Sequence, residues 1–432
     1  MAKFIARRIL LLLLTMILVS IAVFLITEAS PGNVARNVLG AFVTPEQEAS
    51  FINQMGLDEP VWRRYLDWLI GSDWRAEGKI GMPLKRIVTA RGFVEWWAVR
   101  PDGKLVRWKL EGDDLIALVR NEDGSVAQQI DNDRWVTNPK GVSTFWGVDN
   151  ENHVVMWEKG AGRKVWTFIM GSGWKETSGG PVDYIPIKKG FIRGDPGYSI
   201  RTGRPVSKSL FVRLRNSLVL AGIAFVIVMP LALFLGLIAG LKEGSLKDRF
   251  LSVGGMTFSV IPEFATGIFL ILIVGVWWGI VPGATVFGEK APWERPDMLV
   301  LPVLTLTLIE LGYVLRITRA SMVEVMRSPY IRTAYLKGLP YWQIVFKHAV
   351  RNALMAPITV VMLHVNWLMG GIVIVEVVFG YPGLGKYLLD SALNKDINAL
   401  EAGAMILVIV AVGTQLIADI VYTFLNPRIR YT

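Results

Sequence analysis

Six stretches of the chain are apolar over about the twenty residues a helix needs to cross a bilayer, at roughly 9–27, 218–241, 253–281, 298–317, 356–378 and 402–425. The first follows Lys3, Arg7 and Arg8 as in a signal peptide. It is longer than the apolar region of one, and no small-residue cleavage pattern follows, so it reads as an uncleaved anchor. The third is interrupted by Gly254, Gly255, Pro262, Glu263 and Gly267, which predicts a broken helix facing protein or water. Between the first two spans the period changes. Phe93–Val99, Leu105–Leu110, Leu115–Val119, Phe145–Val148, Val154–Trp157 and Lys164–Ile169 alternate apolar and polar positions and read as strands. Asp102-Gly103, Asp123-Gly124, Asp149-Asn150 and Gly160-Ala161-Gly162 are hairpin turn signals between them. The prediction is a meander of hairpins, closed as a small barrel, a sandwich or a partial propeller. Nine of the chain's 16 tryptophans fall between Trp74 and Trp174, where core and cross-strand pairing is favoured over a sugar-stacking face.

A short helix is punctuated between two spans. Ser328 suits an N-cap and Pro329 the first helical position. The run Tyr330–Lys337 follows, then Gly338 offers a left-handed C-terminal residue and Pro340 forbids continuation. About nine residues make a rod of roughly 13 Å. A helix so short needs support from elsewhere. Because it buries nothing within its own length, it suits a knob that couples to a separate soluble subunit; an ordinary connector is the alternative. Tyr341–Leu354 is then amphipathic, with Trp342, Val345, Phe346, Ala349, Val350, Ala353 and Leu354 on one face and Gln343, Lys347, His348, Arg351 and Asn352 opposite.

Composition and charge sharpen this picture. The 432 residues are 52% hydrophobic and 19% charged, with a mean hydropathy of +0.42, which is too apolar for an ordinary soluble domain. The net charge of +10 is not a nucleic-acid footprint. Residues 28–211 balance 25 Lys/Arg against 23 Asp/Glu, and the excess flanks the spans. One side carries 15 basic residues: Lys3, Arg7, Arg8, Lys242, Lys247, Arg249, Arg316, Arg319, Arg327, Arg332, Lys337, Lys347, Arg351, Arg428 and Arg430. The other side's short loops carry Lys290, Arg295, Lys386 and Lys395. Both termini and the knob are therefore expected in the cytoplasm and residues 28–211 outside it. With no cysteine there is no disulfide, thiolate metal site or cysteine nucleophile. His153, His348 and His364 have no metal-ligand spacing. Pro262, Glu263, Glu310, Asn366 and Glu376 are candidate linings of a solute path, and Asp419 is a further ionisable group in an apolar stretch. Helix–helix hydrogen bonds are the favoured reading for these acids.

"RTAYLKGLPYWQIVFKHAVRNAL" (Arg332–Leu354) resembles the cytoplasmic EAA-type loop of ABC-importer permeases, in the variant of the dipeptide/oligopeptide/nickel family. Other blocks agree: "PGN" (Pro31–Asn33, with Asn33 for the usual acid), "GLDEPVWRRYLDWL" (Gly56–Leu69), "GDPGYSIRTGRPV" (Gly194–Val206), "EVVFGYPGLGKYLLDSALNKD" (Glu376–Asp396) and "ADIVYTFLNPRIRY" (Ala418–Tyr431). The Glu-Ala-Ala opening is replaced by Arg332, Thr333 and Ala334, so a salt bridge from that Glu does not carry over. The resemblance implies an α-helical polytopic membrane protein with six transmembrane helices (the ABC type I importer permease fold) and an inserted β-rich extracytoplasmic domain. Residues 1–69 would hold the anchor and the start of the first external loop, 70–193 the tryptophan-rich insertion, and 194–432 the permease core, with its coupling loop at about 324–354. It also implies ATPase coupling through Tyr330, Arg332, Thr333, Ala334, Tyr335, Lys337, Gly338 and Leu339. The implied partners are a second permease, identical or distinct, two ABC ATPases and an extracytoplasmic binding protein, all at the lipid of the cytoplasmic (inner) membrane. No cofactor is expected on this chain, because it lacks a P-loop and the string around Lys386 has neither its spacing nor its hydroxyl; ATP and Mg belong to the partner ATPases. Peptides, modified peptides, nickel and oligosaccharides all remain open as substrates. A membrane-anchored receptor whose external domain binds a ligand is the competing class. An enzyme is disfavoured, as no catalytic constellation stands at workable spacing.

Overall fold

The computed structural model describes residues 2–29, 36, 43–89, 94–160, 164–169, 173–178, 181–287 and 291–425. It divides into two compact units: a helical one (Met1–Ser20, Lys208–Asp390, Gly403–Thr432) and a second, largely of strands and short helices (Ile21–Ser207, Ser391–Ala402).

After helix α1 (Ala2–Ala29) come three short helices, α2 (Pro45–Gln54), α3 (Val61–Leu69) and α4 (Asp73–Ile80). α2 begins with a reciprocal capping box, Thr44 accepting from the Gln47 N–H and Gln47 from the Thr44 N–H. Five strands follow as an antiparallel meander, β1 (Leu84–Val88), β2 (Val94–Val99), β3 (Leu105–Glu111), β4 (Asp114–Arg120) and β5 (Val126–Ile130), paired in chain order. A second sheet takes the order β11-β8-β7-β6 from β6 (Val136–Thr137), β7 (Ser143–Val148), β8 (His153–Glu158) and β11 (Asp183–Pro186). Between its last two members, β9 (Lys164–Ile169) and β10 (Gly173–Ser178) form a separate hairpin. Of the enclosures left open by the sequence, the structure builds two sheets that share one core. Trp96, Val106, Trp108 and Leu115 from the first sheet pack with Phe145, Val154, Trp157, Tyr184 and Ile185 from the second.

Each strand expected from alternation is present within a residue or two. The five not foreseen are short or lie at sheet edges, where alternation is weak: β5 (Val-Ala-Gln-Gln-Ile) is exposed along its whole length. Gly103 (φ 81°) and Gly124 (φ 87°) take the left-handed positions of their turns, with Asp102 and Asp123 accepting from the N–H two residues on. The Gly160–Gly162 turn signal lies partly outside the described residues. Trp96, Trp97, Trp108 and Trp157 are buried, whereas Trp74 is exposed. Two guanidiniums approach the Trp97 ring, Arg107 at 4.7 Å and Arg120 at 5.6 Å from its centroid. Arg107 is itself buried and donates to Trp96 O (2.7 Å) and Asn152 Oδ1 (2.6 Å). Burial pulls its pKa down, but a guanidinium stays charged, so those acceptors are what make its burial tolerable.

Chain segments far apart in sequence meet in this unit. Ser72 donates from N to Lys188 O (2.9 Å) and from Oγ to Pro186 O (2.6 Å), and its Oγ accepts from the Lys188 N–H (2.8 Å). Asp396 accepts from Ser199 Oγ and from the Ile200 N–H, and Asn398 Nδ2 donates to Tyr198 O. Arg75 joins Glu59 and Asp67.

The helical unit is built from α5 (Val206–Leu241), α6 (Leu246–Val260), α7 (Glu263–Trp277), α8 (Val300–Met326), α9 (Pro329–Leu336), α10 (Tyr341–Ala353), α11 (Met355–Val378), α12 (Leu384–Leu393) and α13 (Ile397–Leu425), the last two also supplying residues 391–402 to the other unit. Among the described residues, four helices are long and apolar enough to cross a membrane: Ile9–Glu28, Val206–Leu241, Pro296–Met326 and Ile397–Ala418. The number rises to six if two bent pairs, α6–α7 (106°) and α10 with the start of α11 (43°), each count as one span. The larger bend has a local cause. Pro262 has no N–H to continue the ladder of α6 and drives Ile261 into extended backbone (ψ 132°). Helices approach closely through glycine: a Cβ on Gly236 or Gly240 of α5 would fall 2.5 Å from Thr318 Cβ or 2.6 Å from Met322 Cβ of α8.

Candidate functional site

The punctuation read from the sequence makes α9. Pro329 opens it, and Gly338 closes it at φ 72° as the Leu339 N–H returns to Ala334 O (3.4 Å) and the Gly338 N–H to Tyr335 O (3.0 Å). Two expectations need correction. The Ser328 side chain does not cap the helix but donates back to Val325 O (2.5 Å). And α9 does bury part of its length. Ile331 and Ala334 enter a core with Met322 of α8 and Ile344, Val345, Ala349 and Ala353 of α10, and Leu339 packs on its edge, so Ala334 and Leu339 face the helical core. The outward surface is Tyr330, Arg332, Thr333, Tyr335, Leu336 and Lys337, with Gly338 exposed at the tip. Leu336, which the sequence reading passed over, is the most exposed of these apolar side chains at 81%. Its position on the side opposite Ile331 and Ala334 was the signal that could have found it.

α10 holds this knob in place. Asn352 Nδ2 donates to Tyr330 OH (3.0 Å), and Ser321 Oγ of α8 donates to Ala353 O (2.8 Å). Its buried face differs from the predicted one: Ile344, Val345, Ala349 and Ala353 are buried, whereas Trp342 and Phe346 are exposed and stacked at 5.7 Å. The wide turns over Ile344–Val350 break the 3.6-residue period on which that expectation rested.

The polar groups among the apolar helices fall in two places. Glu376 is fully buried and accepts from Ser217 Oγ, from the Gly385 N–H (2.7 Å) and from the Lys386 N–H (3.1 Å), so it caps the start of α12. Nearby, Asn216 Nδ2 donates to Pro382 O and Tyr381 OH to Asn216 O. In the second place, Glu310 Oε2 of α8 lies 2.6 Å from His364 Nδ1 of α11, both buried, with the Tyr313 ring 4.6 Å from that imidazole. The sequence had set His364 aside for want of ligand spacing, although an ionisable ring in an apolar stretch was the available sign. Glu263 opens α7 with one buried oxygen lacking a hydrogen-bond partner among the described residues, and a Cβ at Gly371 of α11 would sit 3.1 Å from its other oxygen. Pro262 is exposed at the bend. The side chains of Asn366 and Asp419 lie outside the described ones. Among the described residues no group of three or more His, Cys, Asp or Glu is placed to hold a metal.

Bent and close-packed apolar helices, with a short helix docked between two of them, define a helical protein of the membrane-spanning class. Residues 232–431 match the family described as binding-protein-dependent transport system inner membrane component, and residues 1–83 match its N-terminal membrane component. The oligopeptide transport system permease protein AppB of Bacillus subtilis (strain 168) is 34% identical over 254 residues, 58% of this chain and 80% of AppB. The dipeptide transport system permease protein DppB of Escherichia coli (strain K12) is 29% identical over 272 residues, 57% of this chain and 80% of DppB. The chain belongs to this family of ABC importer permeases, and in it the ATPase resides on other subunits. Neither family match extends over residues 84–231, where the eleven described strands lie.

Proposed function

We propose that this chain is one of two permease subunits of an ATP-driven importer that moves peptides or peptide-like solutes inward, with ATP and Mg bound on two partner ATPases. The permeases AppB and DppB, named for oligopeptide and dipeptide transport, support the substrate class. The observation that carries the coupling role is α9: one side is anchored in the permease core by Ile331 and Ala334, while Tyr335 and Leu336 project from the other. An apolar tip on a rigidly held helix is what a groove on a moving partner can grip. ATP-driven closure of the ATPases would shift this helix and tilt the spans between inward- and outward-open states. The Lys/Arg distribution supports a cytoplasmic knob and termini, and the strand-rich segment outside, facing an extracytoplasmic binding protein.

Replacing Tyr335 and Leu336 together by alanine tests the coupling. Insertion and folding are expected to persist, because neither side chain is buried, while peptide import and its link to ATP hydrolysis are lost. Gly338→Val is expected to act in the same direction, since a β-branched residue resists φ 72°. Wild-type import by reconstituted complexes carrying either change would refute the assignment.

A further inference from the structure

Arg319 of α8 and Arg327, just past its end, hold the first turn of α6 and the loop before it, and the two contacts differ in kind. Arg327 Nη2 reaches both oxygens of Glu243 (2.7 and 2.8 Å), but this pair is largely exposed. Arg319 makes a two-pronged contact with Asp248, donating from Nε to Oδ1 (2.5 Å) and from Nη2 to Oδ2 (2.7 Å). Asp248 is only 2% exposed. It also accepts from the Gly244 N–H (2.9 Å) and Ser252 Oγ (3.2 Å), so a fixed set of donors surrounds it. With the carboxylate buried and the guanidinium half-buried, a bidentate pair of this kind defines geometry more than it adds net stability, because its two parallel hydrogen bonds tolerate little separation or slip in register.

The same two helices touch again at Gly255 and Gly312, where a Cβ on Gly312 would fall 2.1 Å from Gly255 O; close by, Ser259 Oγ donates to Ile309 O (2.8 Å). Glycine against glycine is a smooth contact about which helices can turn. The ion pair stands seven residues away on both helices, about 10 Å along each axis. A pivot and a handle are thus set on the same pair of helices. Beyond the handle, α8 runs into the core that seats α9. Beyond the pivot, α6 ends at the Pro262 bend and Glu263.

We propose that Asp248 and Arg319 are positioning residues for transport: the pair transmits movement of α9, carried by α8, to the bent α6–α7 span. This rests on the coupling role assigned to α9. It predicts that the pair matters for import out of proportion to its effect on folding or on the ATPases themselves.

The test uses the assembled importer with its binding protein in proteoliposomes, with trialanine as the transported probe. Failure of the wild-type complex to import any of a panel of di- to pentapeptides, trialanine included, would refute the functional reading itself and so the proposal that rests on it. The chain has no cysteine, so Val260→Cys, exposed at the end of α6, takes a maleimide uniquely on this subunit. In the wild-type background its labelling rate is expected to differ between ADP and a non-hydrolysable ATP analogue. With Asp248→Asn, import is expected to fall tenfold or more, basal ATP hydrolysis to stay within twofold, and the nucleotide dependence of labelling to vanish. The exchange Asp248→Arg with Arg319→Asp should restore part of both, and Glu243→Gln should change neither. If Asp248→Asn does not assemble, Arg319→Lys keeps the charge without the fork and is expected to lower import severalfold at unchanged assembly. Unchanged import and labelling in the assembled variants, or import lost only in proportion to assembly, would overturn the proposal.

Discussion

Glu376 shows how a single residue's environment decides its role. A carboxylate in an apolar stretch is consistent with a solute path or with a buried hydrogen-bond anchor, and here Ser217 and the first N–H groups of α12 occupy it. A Cβ at Gly383 would fall 2.0 Å from one of its oxygens, so the pocket is filled. Glu376→Ala strands three donors in a buried place, and each unmet donor costs about 1–3 kcal/mol. The thermal unfolding midpoint of the purified permease in detergent is expected to drop by about 5–10 °C, and Glu376→Gln, which keeps one acceptor, by roughly half as much. An unshifted midpoint for the alanine variant would return Glu376 to the candidates for a path. Glu310 differs in that its described contact is with a side chain, His364 Nδ1 of a neighbouring helix at 2.6 Å, rather than with backbone N–H groups.

Among the elements, α6, α7 and α8 depend on what their sequences omit. Pro262 removes a backbone donor and produces the bend, while Gly255 and Gly312 remove the side chains that would hold α6 and α8 apart. At Gly312 the obstruction to a side chain is backbone oxygen, which cannot swing aside as a flexible side chain would. Gly312→Ala is therefore expected to destabilise the permease by about 1–3 kcal/mol, read as a lower unfolding midpoint. Gly254→Ala, where a Cβ meets open space, serves as the control and should be neutral or slightly stabilising. α9 depends on its punctuation and its seat together. Its eight residues would not persist alone, and Ile331 supplies the anchor that its sequence does not advertise.

At the scale of the whole molecule, the strand-rich segment has a core of its own and a return path marked by the hydrogen bonds between Ser72 and residues 186–188. Those bonds bring the segment's two ends within reach of a short linker. Replacing residues 74–187 with a Gly/Ser linker is expected to preserve membrane insertion and assembly with the ATPases. If the segment orients the external binding protein, the deletion should abolish binding-protein stimulation of ATP hydrolysis and leave the basal rate. Full stimulation in the shortened protein would limit the segment to a structural or shielding role.

Local rules make much of this protein legible in its sequence alone. The bilayer length of an apolar run, the two-residue period of a strand, Asp-Gly at a turn, and Ser-Pro and Gly-x-Pro around a short helix each act within a few residues, so α9, the hairpins and the Pro262 break could be read directly. The family motifs lie in the same local stretches, which is why membership of the permease family was also within reach. Tertiary structure alone decided which face each element turns inward and which charge meets which. Ala334 and Leu339 are turned toward the core rather than the tip because α5, α8 and α10 supply the apolar surface there. Glu376 pairs across 159 residues with Ser217, and Asp248 across 71 with Arg319. No sequence period encodes such pairs, because a helix specifies its own hydrogen bonds but the partner of a buried side chain is set by how helices pack.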